Sequence, residues 1–547
     1  YLNPLTGLDA AGADIDIVNN ALITAASGAT MTFDFSGGTV ASVEGSLFNI
    51  TNTTDLSKVS YTITGSSKQD KLTGSGGNDN ITGGGVLVGD SLTGGSGHDT
   101  LTGNAGVDTL AGGAGNDNIV GNGGTDGITG GDGNDVIDGG DGIDTIDGEG
   151  GADTITTGLG KDVVKYDAAA DSSGALKDTI ADFTQSTINA VTTDTVTSGD
   201  NIEINFGTQT ATTWALSDKG DVANAGLAGS AIDGVTGAFV FAVDTSTLYV
   251  DFNGDGLLNA ADLQITFTGL SDFHSNDINA IVTGAAGGST MTGGNGDDSI
   301  TGGSGADSLY GGYGNDTIAG ANGGDKMYGQ GGNDTITPNG NADSTVDGGA
   351  GDDILSGSAT NEINLTGGTG DDTFDLTTTT AQANRDTITD FEDAGAVVGD
   401  IIKLDADDTS DGTAVGALPV FATLSSAAAA EGAAGIAGTP NSDAFDILEI
   451  TVSNNANIDM EADFADGGTG VNLIKNIGPA NDETATGITV TGTHKFFIIA
   501  YDGGDAFIYA ASNAAGNTLL VPAEITPIAK LSTITDGALV AEDFLLG

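Results

Sequence analysis

Aspartate recurs every nine residues through two long stretches of this chain, and that spacing is where chemistry is to be sought. In GGDGNDVIDGGDGIDTIDGEGGADTIT (residues 130–156), Asp135, Asp144 and Asp153 take the sixth place of the frame G-G-x-G-x-D-x-U-x, where U is bulky and apolar. Started at Gly65, the frame gives eleven turns, beginning at 65, 74, 83, 94, 103, 112, 121, 130, 139, 148 and 157. Their sixth residues are Asp70, Asp79, Asp90, Asp99, Asp108, Asp117, Asp126, Asp135, Asp144, Asp153 and Asp162, and the turn at 83 carries two extra residues. A second array runs from about 284 to 375, with Asp298, Asp307, Asp316, Asp325, Asp334, Asp353 and Asp372 in its strong turns. Its first turn, GAAGGSTMT, lacks the aspartate, and the turns near 338 and 357 are each one residue long.

Each beat reads as a tight turn followed by a short strand. Glycine permits the positive φ and the close backbone approach that such a turn needs. Two beats make one coil of a parallel solenoid, with the U residues pointing inward as a thin apolar ladder. Coils then stack at the inter-strand spacing of a β-sheet, about 4.8 Å. Aspartates from every second beat line one edge at that distance. Two bare carboxylates so placed repel by roughly 3–4 kcal/mol at an effective dielectric of 20, or about 1 kcal/mol in water. A core one side chain thick cannot absorb many such penalties, so the pattern calls for a cation. Calcium suits it, because it takes six to eight oxygens at irregular geometry, whereas magnesium demands a strict octahedron and keeps its waters. Carboxylates of turns i and i+2, with backbone carbonyls of the glycine loops, are the expected ligands. About 12–16 ions would then offset roughly 24–32 negative charges.

The composition agrees. Seventy-seven acids face 13 bases for a formal charge of −64, which disfavours nucleic acid and anionic lipid and favours cations. There is no cysteine, which excludes disulfides, thiolate metal sites and a thiol nucleophile. No apolar run approaches the ~18 residues that would span a membrane. The chain opens at Tyr1 without a signal-peptide pattern. The expectation is that something was removed upstream or that an export signal lies elsewhere.

These nonapeptides resemble those of the RTX (repeat-in-toxin, hemolysin-type calcium-binding) family. The resemblance implies parallel β-rolls, calcium-driven folding outside the cell, and type I export through an uncleaved carboxy-terminal signal, which DGALVAEDFLLG (536–547) resembles. The fold expected is all-β: two calcium-binding rolls, each followed by a β-rich cap. The expected segments are 1–64 (a small β-rich segment), 65–165 and 284–375 (rolls), and 166–283 and 376–547 (caps). The caps share landmarks. DTIADF (178–183) answers DTITDF (386–391), GDNIEI (199–204) answers GDIIKL (399–404), and GAFVFAVDTSTLYVD (237–251) resembles HKFFIIAYDGGDAFIY (494–509). Each member of the last pair reads as two alternating strands about a turn. The alanine-rich stretch 424–438 reads as a surface loop or short helix.

A separate candidate is DFNGDGLLNAAD (251–262), which places Asp251, Asn253, Asp255, Asn259 and Asp262 at EF-hand loop positions, with Gly256 at the sixth. Its last ligand is Asp rather than the usual Glu, and its flanks read as strands, so a polar β-turn is the competing reading. His98, His274 and His494 stand in unrelated contexts and are expected to face solvent. Trp214 and the aromatics around 239–252 and 496–509 are expected in the cap cores. No zinc-protease or serine-elbow motif occurs, so no catalytic site and no enzyme is expected. The leading expectation is a secreted structural protein of a Gram-negative cell surface that self-associates. It is similar to RTX-bearing surface-layer proteins, with a cell-surface polysaccharide as a candidate partner. An adhesin or matrix filament subunit is the alternative, and a secreted hydrolase with an unrecognised site the more remote one.

Overall fold

A computed structural model describes residues 30–34, 60–184, 200–222, 238–252, 262–376, 386–391, 399–404, 421–424, 447–450, 495–512, 525–534 and 539–546, apart from scattered positions within these ranges. The described residues fall into two compact units, one drawn from 1–207, 215–282 and 294–296, the other from 208–214, 283–293 and 297–547. The fold is all-β, a parallel solenoid over the repeats. Among the described residues no helix is long and apolar enough to cross a membrane.

The glycine turns set the coil. In the beat that begins at Gly130, Gly131 (φ 112°) and Gly133 (φ 139°) hold left-handed backbone, which turns the chain within six residues. Asn122, Glu149 and Gln330 occupy the place of Gly131 in their own beats, at φ 75°, 56° and 79°, so these turns keep the left-handed backbone even without glycine there. The strand that follows pairs with the strand two beats away. Ile119, Ile137 and Ile155 are register partners along one face of the first unit, as are Ile128, Ile146 and Val164 along the other. One coil is therefore eighteen residues wherever the beats are regular. The two-residue insertion after Gly83 stretches it locally, pairing Leu72 with Leu92 and Ile81 with Leu101. The one-residue extensions in the second unit do the same, pairing Met327 with Val346 and Val346 with Leu365.

The ladder begins earlier than the aspartate frame suggests. Strand Ser60–Thr64 pairs with Asn80–Thr82, placing Ile63 above Ile81, and Thr30–Asp34 pairs with Ser60–Thr64 in turn. The remainder of 1–59 lies outside the described residues.

Beyond the first array, Thr179–Ile180 continues one face and joins Leu263–Phe267 in parallel, and that strand continues antiparallel through Thr247–Val250 to Ala238–Ala242. The second unit repeats the order. Asp386–Ile388 pairs in parallel with Ile525–Leu531, which continues antiparallel through Asp505–Ser512 to Lys495–Asp502. The two resembling sequences are thus both hairpins, but they do not alternate. All five residues of Ala238–Ala242 are buried, as are Phe497 through Tyr501, because these strands are covered on both faces. Phe239, Phe241, Phe497, Phe507 and Tyr509 belong to these buried layers. Trp214 lies on strand Thr213–Ala215, its side chain outside the description, and 425–438 lies outside the described residues altogether.

Each coil contributes only two inward apolar side chains, so each carries a large share of local stability. Ile137 is fully buried, whereas Ile143 in the next turn is 57% exposed. Ile137→Ala is expected to cost about 2–4 kcal/mol in urea unfolding at millimolar calcium, and Ile143→Ala less than about 0.5 kcal/mol. Equal costs would show that the ladder is not the core.

Candidate metal centre

The turn that opens each beat delivers its aspartate inward. All eighteen frame aspartates, from Asp70 to Asp162 and from Asp298 to Asp372, are at most 3% exposed. They stand in columns, one at each edge of the coil. In the first unit the Asp79 N–H donates to Asp99 Oδ1, Asp99 to Asp117, Asp117 to Asp135 and Asp135 to Asp153, each at 2.7 Å. The other edge runs Asp70, Asp90, Asp108, Asp126, Asp144 and Asp162 at 2.6–2.8 Å. In the second unit Asp298, Asp316, Asp334, Asp353 and Asp372 form an unbroken column at 2.7–2.9 Å.

One oxygen of each carboxylate thus ties its rung to the rung before. The other oxygen is the informative one. Oδ2 of Asp90, Asp99, Asp108, Asp117, Asp126, Asp135, Asp144, Asp153 and Asp162 is buried with no hydrogen-bond partner, as is Oδ2 of Asp307, Asp316, Asp325 and Asp353. A buried carboxylate oxygen without a donor is costly, and here the same cost recurs at the same atom on successive rungs. Glycine at the first place of most beats keeps that atom's surroundings open. A methyl group on Gly130 would lie 2.6 Å from Asp135 Oδ2 and 2.8 Å from the Gly148 carbonyl oxygen.

Burial, more than repulsion between neighbours, dominates the electrostatics. It pushes Asp90, Asp126 and Asp135 up to about 6, Asp99, Asp153 and Asp162 to about 7, and Asp353 to about 8, with adjacent column carboxylates adding to the rise. Among the described residues no three His, Cys, Asp or Glu side chains gather at one point. Adjacent rungs of a column offer one carboxylate each, so an ion held between them must draw its remaining oxygens from the backbone. Anionic and carbonyl oxygens without nitrogen or sulfur suit a hard divalent cation. The residues fit calcium.

A family model of the RTX calcium-binding nonapeptide repeat matches residues 62–85, 93–128 and 129–164, and, in overlapping copies, 276–309, 283–318, 301–336, 310–344 and 340–361. The two arrays are RTX calcium-binding repeats. No curated protein matches the chain. The start of the first match at residue 62 agrees with the early ladder, in which Tyr61 holds the place of an aspartate and its N–H donates to Asp79 Oδ1.

Several members of the RTX columns escape the nonapeptide frame. The Asp153 N–H donates to Asp178 Oδ1 at 2.8 Å, Asp162 to Asp200 at 3.2 Å, and Asp372 to Asp400 at 3.0 Å. Asp386 ends the fourth column, accepting from the Ile363 N–H at 3.1 Å. The signal that marks them is the D-x-U triplet alone, as in DTI (178–180), DNI (200–202), DTI (386–388) and DII (400–402). The fourth column is also the broken one. Ser289 starts it, Ser344 Oγ accepts the Asp325 N–H at 3.0 Å, and the fully apolar Ile363 occupies the next rung opposite Ser344.

The EF-hand-like loop has no helices at its ends. Asp251 and Asp262, both fully buried, flank the hairpin in which Val250 pairs with Leu263, and Asn253, Asp255 and Asn259 lie outside the described residues. His98 is exposed, and its ring Nδ1 accepts the Asn116 N–H at 2.7 Å, while His274 and His494 lie outside the described residues.

The raised carboxyls give the metal-free chain a pH dependence of definite sign. An unfolded Asp titrates near about 3.9, so these groups bind protons more tightly when folded. Their protonation favours the metal-free fold fully below about pH 4, and that contribution vanishes as pH climbs past 6 to 8. In excess chelator the β-signal at fixed temperature is expected to be larger at pH 5 than at pH 8, where it collapses, with much of the change above pH 6, where exposed carboxylates no longer titrate. A flat profile above pH 6 would contradict the burial of these groups.

Proposed function

We propose that the protein is a secreted structural building block that folds on calcium outside the cell and assembles into a cell-surface coat. The observation that carries the calcium half of this reading is the row of buried Oδ2 atoms lacking a donor. When bound, calcium supplies the positive charge and oxygen coordination that these columns lack. The residues proposed to hold it are the frame aspartates from Asp70 to Asp162 and from Asp298 to Asp372, with carbonyl oxygens of the glycine turns; Asp79 is an exception among them, its Oδ2 already accepting from the N–H and hydroxyl of Ser75. Their part is to hold successive coils at fixed register through Oδ1 while directing Oδ2 inward. In a calcium-poor cytoplasm the same columns disfavour the fold. This property and the absence of cysteine suit export as an unfolded chain.

Assembly is the less constrained half. Support comes from the sheet ends: among the described residues, Ser217–Val222 and Phe421–Leu424 each end a sheet, and an edge strand can pair with another copy. Leu87, Val107 and Leu159 are 82%, 66% and 72% exposed and supply apolar contact surface. The absence of any sequence motif for hydrolysis, and the resemblance to RTX-bearing surface-layer proteins, favour a structural role.

Circular dichroism tests the folding half. In millimolar calcium the β-signal and a cooperative melt are expected. In excess EGTA at pH 8 both are expected to collapse, and magnesium at equal concentration to restore little. Identical spectra and melting in calcium and EGTA would end this reading. Electron microscopy of the calcium-loaded protein tests the assembly half. Ordered sheets are expected; fibres would favour a filament subunit, and monodisperse particles an adhesin or enzyme.

A further inference from the structure

We infer that Asp178 is an additional calcium ligand that ends one aspartate column, whereas Asp200 and Asp386 seal theirs with hydrogen bonds from the protein. This rests on the calcium reading proposed above.

Asp178 lies outside the residues matched as RTX repeats, 25 residues after Asp153 rather than eighteen. The backbone nevertheless treats it as the next rung. Thr154 pairs with Thr179 and Ile155 with Ile180, the Thr179 N–H donates to the Asp153 carbonyl at 2.8 Å, and the Ala181 N–H to the Ile155 carbonyl at 2.7 Å. The seven extra residues are taken up before the rung, by a segment that contains the short 3-10 turn Ala169–Asp171. The side chain repeats the array geometry as well. Oδ1 accepts the Asp153 N–H at 2.8 Å, the residue is fully buried, and Oδ2 has no hydrogen-bond partner. It thus ends the column with the same open carboxylate oxygen that Asp99, Asp117, Asp135 and Asp153 present.

Two other column ends, Asp200 and Asp386, differ at that atom. Asp200 Oδ2 accepts the Thr184 N–H at 2.7 Å and the Thr157 hydroxyl at 3.1 Å, while its Oδ1 accepts the Asp162 N–H. Asp386 accepts the Ile363 N–H on Oδ1 and the Ser358 N–H on Oδ2, both at 3.1 Å. Donors already supplied by the chain leave these two carboxylates with little need of a cation. The fully buried Tyr166 directs its hydroxyl at the Asp178 carboxyl, favouring the charged form without making a well-formed hydrogen bond, and is the protein group that competes for the open oxygen.

An ion at Asp178 would do more than lengthen the column. The Asp178 N–H donates to Ser172 Oγ at 2.7 Å, whose hydroxyl donates to the Gln264 carbonyl at 2.6 Å, and the Thr266 N–H donates to the Asp178 carbonyl at 3.0 Å. The ligand is therefore stitched to strand Leu263–Phe267, and metal bound there would couple the order of the following β-segment to that of the array.

The test counts calcium ions on the full chain by native mass spectrometry, with folding followed by far-ultraviolet circular dichroism. Asp178→Asn is expected to carry one ion fewer than the unsubstituted chain, and Asp200→Asn and Tyr166→Phe the full number. It is also expected to need several-fold more calcium for the near-ultraviolet signal of the Phe183, Phe267 and Phe273 cluster, whose rings lie 5.0–5.9 Å apart. Should Asp178→Asn fail to fold, Asp178→Ser, which copies the natural Ser289 and Ser344 rungs, is read the same way. An undiminished count in the Asp178 variant overturns this inference alone, and a lost ion in Asp200→Asn overturns the distinction between the column ends. An unsubstituted chain that binds no calcium overturns the proposed function and this inference with it.

Discussion

The structure depends on a carboxylate held dry between two rungs of backbone. A parallel solenoid this thin has little apolar mass with which to oppose chain entropy, and each coil buries only two bulky side chains, such as Ile137 and Ile146. Placing two acids inside every coil looks self-defeating. It becomes sensible once each carboxylate is divided into its two oxygens. Oδ1 knits adjacent coils by accepting a charge-assisted bond from the backbone N–H of the rung before, a strong interaction. Oδ2 remains as a fixed debt that only a proton or a cation settles. The fold is thereby conditional on its surroundings in a way that an apolar core of the same thickness would not be.

The regular part of this arrangement was legible in the sequence because glycine, aspartate and a bulky apolar residue each have one physical job at a fixed interval. The frame placed Ile119, Ile137 and Ile155 on one ladder and Asp117, Asp135 and Asp153 on one edge, and the structure pairs them so. What escaped the frame did so because spacing was the signal. Asp178 and Asp200 follow their predecessors by 25 and 38 residues, so the interval breaks although the rung does not. Ile363 was hidden for the opposite reason: the interval nearly holds but the residue type changes, and an apolar side chain stands at the carboxylate's place in the rung. Tyr61 combines both difficulties, holding an aspartate's place ahead of the first glycine turn. The hairpins after each array were recognisable from their resemblance to each other. Burial on both faces was not, because it depends on what packs against them.

The paired landmarks acquire a mechanical meaning. In DTIADF and DTITDF the first aspartate takes a column rung and the isoleucine extends the ladder, Ile180 and Ile388 both being fully buried. The second aspartate then clamps the turn before it. Asp182 accepts the N–H groups of Thr157 and Gly158 at 2.8 and 3.1 Å, and Asp390 those of Gly367 and Gly368 at 2.9 Å each. Phe183 and Phe391, both largely buried, follow directly. GDNIEI and GDIIKL correspond as closely. Lys165 bonds Glu203 across one strand pair and Lys403 bonds Asp375 across the other, each at 2.8 Å, with the signs exchanged between strands. Such an exchange keeps the attraction while altering both residues.

The broken column of the second array has a consequence of its own. In a stack where each coil touches only its neighbours, stability is a sum of local terms and disorder spreads from rung to rung. Along Asp298, Asp316, Asp334, Asp353 and Asp372 every rung is of one kind. On the opposite edge the hydroxyl of Ser344 and the hydrocarbon of Ile363 interrupt the series. Those two rungs offer a cation no carboxylate of their own, so at that level the coils rely on the apolar ladder and on the Asp334, Asp353 and Asp372 edge to stay in register, and metal bound there braces one side of the stack only.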